Sequence, residues 1–116
     1  MSILVPLDRL AATLTRFDHA YLLTVAPTGH VKVYSVDPYL DGDLLRIPGA
    51  GPNHSANLAR SAAVTVTWPP REFHGWTLIV DGTAQVLGDD VTVTPDHAIL
   101  HRAAAHADGP GWVDPA

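Results

Sequence analysis

The sequence predicts a mainly β domain: six short antiparallel strands that close, or nearly close, into a small barrel, flanked by two or three short helices. Three observations predict it. Apolar runs of strand length, rich in valine, threonine and aromatic residues, recur along the chain. Tight-turn residues separate most of them. Apolar residues at helical spacing are confined to short stretches outside those runs. Closure is the way such a set of short strands removes its exposed edges.

Pro6 to Phe17 reads as a helix, because Leu7, Leu10, Leu14 and Phe17 recur at helical spacing and Pro6 suits a first-turn position. These four residues are expected to face the core. Ala20 to Ala26, "AYLLTVA", is a short strand, and Pro27-Thr28-Gly29-His30 supplies the turn into "VKVYSV", Val31 to Val36. Asp41-Gly42-Asp43 turns the chain again before Leu44 to Ile47. After a glycine-rich interruption, Ala63 to Trp68 alternates cleanly, with Val64, Val66 and Trp68 on one face. Pro69-Pro70 ends that strand, since proline cannot donate to a ladder.

Thr77 to Leu87 is the longest strand, and Gly82 in its middle signals a bulge or a barrel-corner bend. A brief "VTV", Val91 to Val93, follows a turn. Thr94-Pro95-Asp96 then has the chemistry of a helix start: a capping hydroxyl, a first-position proline and an early acid. The predicted helix runs to about Ala105, and residues 106–116 read as a linker-like tail. All 116 residues form one domain.

Composition narrows the function classes. Hydrophobic residues make up 47% and charged residues 16%, as in a globular chain. With no cysteine, thiolate metal sites, disulfides and cysteine nucleophiles are excluded. Twelve acidic against seven basic residues, with a net charge of −5 and a single lysine, argue against nucleic acid as a partner. No basic leader and no membrane-length apolar run occurs, so a cytoplasmic protein without a membrane partner is expected.

The stretch Gly49 to Leu58, "GAGPNHSANL", carries the most chemical information. Glycines, turn residues and a following helix are the parts of a phosphate cradle. No lysine or arginine lies within it. It is either a cradle without its usual charge or a turn that starts a helix.

The stretch "LLRIPGAGPNHSANLARSAAVTVTWPP" followed by "TLIVDGTAQV" resembles the pyridoxamine 5′-phosphate oxidase-like, flavin-binding split-barrel superfamily. The resemblance rests on the order of elements from about Ala20 to Val86, including Asn57-Leu58 and the Gly82-Thr83-Ala84 step. It implies a homodimer with FMN or a deazaflavin coenzyme at the interface, each site lined by both chains, and hydride transfer to a small-molecule substrate. The cofactor-binding positions it implies are Lys32, Tyr34 and Val36 on the second strand and Pro48, Gly49, Asn53, His54 and Ser55 in the loop. Asn57 belongs to the Asn-Leu pair, and Thr77, next to Trp76 at the start of its strand, matches a residue that approaches the ring from the partner chain.

Relatives hold the phosphate with basic residues at positions that fall here on Tyr34, Tyr39, Asn53 and His54, none of them lysine or arginine. A helix N-terminus favours an anion by about 0.3–1 kcal/mol, whereas a hydrogen bond to a charged group contributes about 1.5–3 kcal/mol. Micromolar binding needs about 8 kcal/mol in all. Two lost cations therefore take a phosphate-bearing flavin from micromolar to roughly millimolar. Backbone amides from Gly49 to Ser55 and the side chains of Asn53 and Ser55 recover part of this.

Other residues admit two readings each. Lys32 shares the face of Tyr34 and has a stem long enough to reach a phosphate, or it is a solvated strand residue; Arg46 is the next cation along the chain. His97 and His101, four apart on the predicted last helix, suit two metal ligands or an exposed face, and no third ligand has motif spacing. His54 is a cation only when protonated, mainly below neutral pH. Trp68 shares its face with core valines; Trp76 suits stacking on an isoalloxazine or capping an interface. Asp37 and Asp81 form no acid–base couple, and no catalytic residue is assigned. The alternative to a flavin protein is a cofactor-free dimeric binding module on the same scaffold.

Overall fold

A computed structural model describes residues 1–103 and residue 112. Eight strands form one antiparallel sheet: β1 (Ser2–Leu4), β2 (Ala20–Val25), β3 (Val31–Val36), β4 (Tyr39–Asp41), β5 (Leu44–Ile47), β6 (Ala63–Trp68), β7 (Thr77–Leu87) and β8 (Asp90–His101). Their order is β3-β2-β6-β7-β8-β5-β4, with β1 added against β8. The two ends of this path, β3 and β4, are consecutive in sequence, joined only through Asp37 and Pro38. The sheet thus curls until its edges are neighbours along the chain while no ladder seals them, which is a split barrel.

Alternation along each strand fills the inside. Leu22, Val66, Val80, Ala98 and Leu45 are fully buried, and Trp68 lies with them in the core rather than on a boundary. Val64, Val66 and Trp68 face inward and pair with Gly82, Val80 and Leu78 of β7, as the valine–threonine alternation predicts. Helix α1 (Leu10–Leu14) follows a 3-10 turn at Leu7–Arg9, and α2 (Gly51–Arg60) crosses from β5 to β6. The first is shorter than the helix expected from Pro6 to Phe17. The expected stripe holds at Leu10 and Phe17, which are buried, and at the partly buried Leu14, but Leu7 is exposed.

Three expectations are corrected. There are eight strands, not six, because β1 and β4 are three-residue strands too short to register as periodicity. The helix expected from Thr94 is instead the second half of β8, which runs through to His101. Pro95, read as a helix first residue, faces Gly82 where the β7–β8 register shifts, so its missing N–H falls at a bulge where no ladder bond is required. A Cβ on Gly82 would lie 2.5 Å from the Thr94 carbonyl oxygen, which explains the glycine. His97 and His101 therefore stand on a strand, about 13 Å apart by strand rise, and do not share a metal. Among the described residues no cluster of metal-ligating side chains occurs, and no helix is long and apolar enough to cross a membrane. The linker-like tail lies outside the described residues except for Trp112, which stacks on Phe17 at 6.2 Å.

Candidate functional site: the groove between β3 and α2

The glycine-rich stretch resolves into a short loop and a helix. Gly49 adopts a left-handed φ of 73°, which suits glycine. Gly51 opens α2 pressed against the β7–β8 turn, where a Cβ would come within 2.7 Å of the Gly88 carbonyl oxygen. The Gly51 amide donates to the Asp89 carbonyl at 2.8 Å. The Gly49 amide donates to the Asp90 carboxylate at 2.9 Å. Asn57 ties the helix to β2 by donating to the Thr24 hydroxyl at 3.2 Å.

Beside this loop lies a groove of about 320 Å³, walled on one side by Tyr34 to Asp37 and on the other by Pro48 to Ala50, Asn53 and His54. Of the expected cofactor positions it brings together Tyr34, Val36, Pro48, Gly49, Asn53 and His54. It does not include Lys32, Ser55, Asn57, Trp76 or Thr77. Ser35, Asp37 and Ala50 also line it without having been expected there; being chain neighbours of Tyr34, Val36 and Gly49, they follow once the strand and loop are seen to face each other.

Charge in the groove is scarce. Arg46, the nearest cation in sequence, donates to Asp90 at 2.9 Å and reaches Asp41 at 3.5 Å. The Gly49 amide, then Arg46, hold the Asp90 carboxyl below the usual carboxylate range. His54 is only 3% exposed and meets the Tyr34 ring edge-on, with centroids 4.2 Å apart. Its Nδ1 is buried with no hydrogen-bond partner. Burial pushes its pKa below the ordinary imidazole value. Gly49 and Gly51 have already committed their amides, and Pro52 has none, so the cradle offers fewer backbone donors than its sequence suggests.

Trp76 lies elsewhere, buried beside Phe17, Arg71 and Trp112. The Arg102 guanidinium covers one face of its ring at 4.4 Å, so stacking by a planar ligand on that face requires Arg102 to move. Thr77 opens β7 on a separate depression with His74 and His101. Within one chain neither residue reaches the groove.

No family profile matches the chain. The uncharacterized protein Mb0449c of Mycobacterium bovis is 39% identical over 117 residues, spanning 87% of this chain and 82% of the relative. An uncharacterized protein of Mycobacterium tuberculosis matches with the same identity and coverage. Among solved structures, an F420 reductase superposes with a TM-score of 0.60 at 18% identity, over 73% of this chain and 91% of that one. A Listeria innocua protein provisionally named pyridoxamine 5′-phosphate oxidase gives 0.67 at 15%, over 84% and 98%. The FAD binding protein from Mycobacterium smegmatis gives 0.60 at 14%, over 88% and 100%. The chain therefore belongs to the family of these two mycobacterial proteins, and its fold is the split barrel of the pyridoxamine 5′-phosphate oxidase-like superfamily.

Proposed function

We propose that this protein is a homodimer that binds a flavin-type ring, FMN or the deazaflavin coenzyme, in the β3–α2 groove at the boundary between two copies. The observation that carries this reading is the convergence of Tyr34, Val36, Pro48, Gly49, Asn53 and His54, from two separate elements, on one groove. It is strengthened by structural neighbours that include an F420 reductase and an FAD binding protein. The outer face of the sheet supports the second copy. Val31 and Val33 are 57% and 60% exposed, and they pair with Val25 and Leu23 on β2, so four apolar side chains share one open face. Trp76 and Thr77 would then serve the partner's groove.

A bound flavin or deazaflavin supplies hydride transfer to a small substrate. The chain's own part is to bind and orient: Tyr34 and Pro48 offer apolar surface, and Asn53 offers an amide. A second reading, a cofactor-free dimeric binding module, is favoured by the Asp37 carboxylate in a groove that, among the described residues, is lined by no lysine or arginine. Absorbance of the purified protein near the flavin bands and fluorescence titration with FMN and the deazaflavin separate the two. Saturable quenching supports the flavin protein. Colourless protein without quenching up to high micromolar ligand supports the binding module.

A further inference from the structure

We propose that the cavity between the first helix and the β4–β5 hairpin is a binding site of its own, and that it takes a small amphipathic amine: an ammonium group on a compact apolar body. The cavity shares no residue with the β3–α2 groove, so it stands independently of what that groove binds.

The way β8 is paired creates the space. Strand β7 follows one edge of β8 along its whole length. The other edge is divided: β5 pairs with Val91 to Val93, β1 pairs with Ile99 to His101, and the Val5 amide donates to the Ala98 carbonyl at 2.8 Å. Among the described residues no strand takes Thr94 to His97 on this side. The bulge opposite Gly82 falls in that interval, and Pro95 has no N–H to offer a further strand. The 3-10 turn and α1 border this interval on one side and the β4–β5 hairpin on the other, enclosing about 360 Å³. Small-molecule sites begin at about 300 Å³.

The walls are mostly apolar. Leu7 and Leu10 contribute from the helical side, Leu40 from the hairpin and Pro95 from β8. Leu7 is 44% exposed although its spacing puts it on the core-facing stripe, and an apolar body in the cavity would take that surface out of water. The charges have one sign. Asp8 comes from the helical side and Asp43 from the hairpin, and Thr94 adds a hydroxyl. Neither carboxylate has an ion-pair partner among the described residues. Arg46, the cation of the hairpin, is held by Asp90 and Asp41. No lysine, arginine or histidine is among the described residues that line the cavity, so an anion is repelled. Two carboxylates and a hydroxyl are too few oxygens for calcium or magnesium, and no metal-ligating cluster occurs among the described residues. An ammonium group brings the opposite charge and three donors, and its apolar remainder suits the leucines.

Phenethylamine, phenethyl alcohol and phenylacetate share an apolar body and differ in charge. Followed through the amide NMR signals of Leu10, Leu40 and Thr94 in the unsubstituted protein, phenethylamine should bind saturably. Two exposed ion pairs should make it about three- to tenfold tighter than the alcohol, with phenylacetate weaker than both. Added salt should weaken the amine and leave the alcohol unchanged. Asp8→Asn combined with Asp43→Asn, both at exposed positions that tolerate substitution, should bring the amine to the alcohol's affinity. Leu7→Ala should weaken both ligands. An amine no tighter than the alcohol, signals that move only elsewhere, or a doubly substituted protein that keeps its preference overturns the inference. If no probe binds and the same signals move with protein concentration instead, a second copy covers the cavity and the inference falls.

Discussion

The Gly49 amide donates to Oδ1 of Asp90 at 2.9 Å, joining residues 41 positions apart. Arg46 Nε takes the other oxygen of the same carboxylate at 2.9 Å. One side chain at the start of β8 thus fixes both the loop before α2 and the strand that leads into it. The ionised carboxylate accepts both bonds, the Gly49 amide's first and then that of Arg46, and they hold its pKa below the usual carboxylate range. A group depressed in the folded state contributes stability that is present above its unfolded pKa and lost as pH falls through the folded one. Asp90→Asn should therefore lower the Tm most at neutral pH, and its difference from the unsubstituted chain should shrink as the solution is acidified below about pH 4. Thermal melts across that range check it. A difference that stays constant would mean that the carboxylate's charge contributes nothing.

His54 gives a pH dependence in a higher window. Its pKa is depressed from 6.5 by burial, so the unfolded chain takes up a proton before the folded one does. Stability in the absence of ligand should decline as pH falls below that value, by at most about 1.4 kcal/mol per pH unit for one proton. Urea midpoints measured between neutral and mildly acidic pH report this slope, and His54→Gln should flatten it.

Gly82 tests the bulge. A Cβ there would stand 2.5 Å from the Thr94 carbonyl oxygen and 2.6 Å from Val93 Cγ1, and the nearer of these is backbone. Gly82→Ala should destabilise the fold by about 1–3 kcal/mol, the usual consequence of overpacking. A shift of the urea midpoint with an unchanged slope is the expected readout.

Asn57 and Thr24 test the tie between α2 and the barrel. Thr24 is buried and its hydroxyl accepts from Asn57 at 3.2 Å. Asn57→Ala leaves that hydroxyl without its partner and should cost about 1–3 kcal/mol. Adding Thr24→Val removes the orphaned group, so the double variant should be more stable than Asn57→Ala alone. Strict additivity of the two changes would show that the bond carries no coupling.

Much of this architecture was legible in the chain, for reasons that differ by element. Strand β6 announced itself because one-sided burial enforces a period of two, as in the valines and threonines from Ala63 to Trp68, whereas β2, β3, β5 and β7 were marked by strand-forming residues set between turns. The second half of β8 did not, because Thr94-Pro95-Asp96 serves a helix start and a bulge equally well, and the choice is made by Gly82 on another strand. Tyr34, Asn53 and His54 could be placed in one groove only through resemblance, since nothing local states that β3 and the α2 loop face each other. The commitment of Arg46 to Asp90 was invisible for the same reason: the partner is 44 residues away. Burial of His54 follows from its place three residues after Gly51, on the side of α2 that also buries Leu58.

The homodimer is tested on β3. Val31 and Val33 project from the outer face of an edge strand beside Leu23 and Val25, and an edge strand with exposed apolar residues is prone to pair with another chain unless charge protects it. In an isolated subunit Val33 contacts little, so Val33→Glu should change the stability of a monomer by no more than about 0.5 kcal/mol. Buried at a boundary between two copies, the same glutamate carries an unpaired charge into an apolar contact, and such a charge is strongly disfavoured there. Sedimentation should therefore find the unsubstituted chain as a dimer at micromolar concentration and Val33→Glu as a folded monomer with an unchanged far-UV spectrum. If flavin binding requires residues from both copies, the variant should lose it together with the dimer. A Val33→Glu protein that sediments as the unsubstituted chain does would place the boundary on another face and leave Trp76 and Thr77 without a role in the partner's groove.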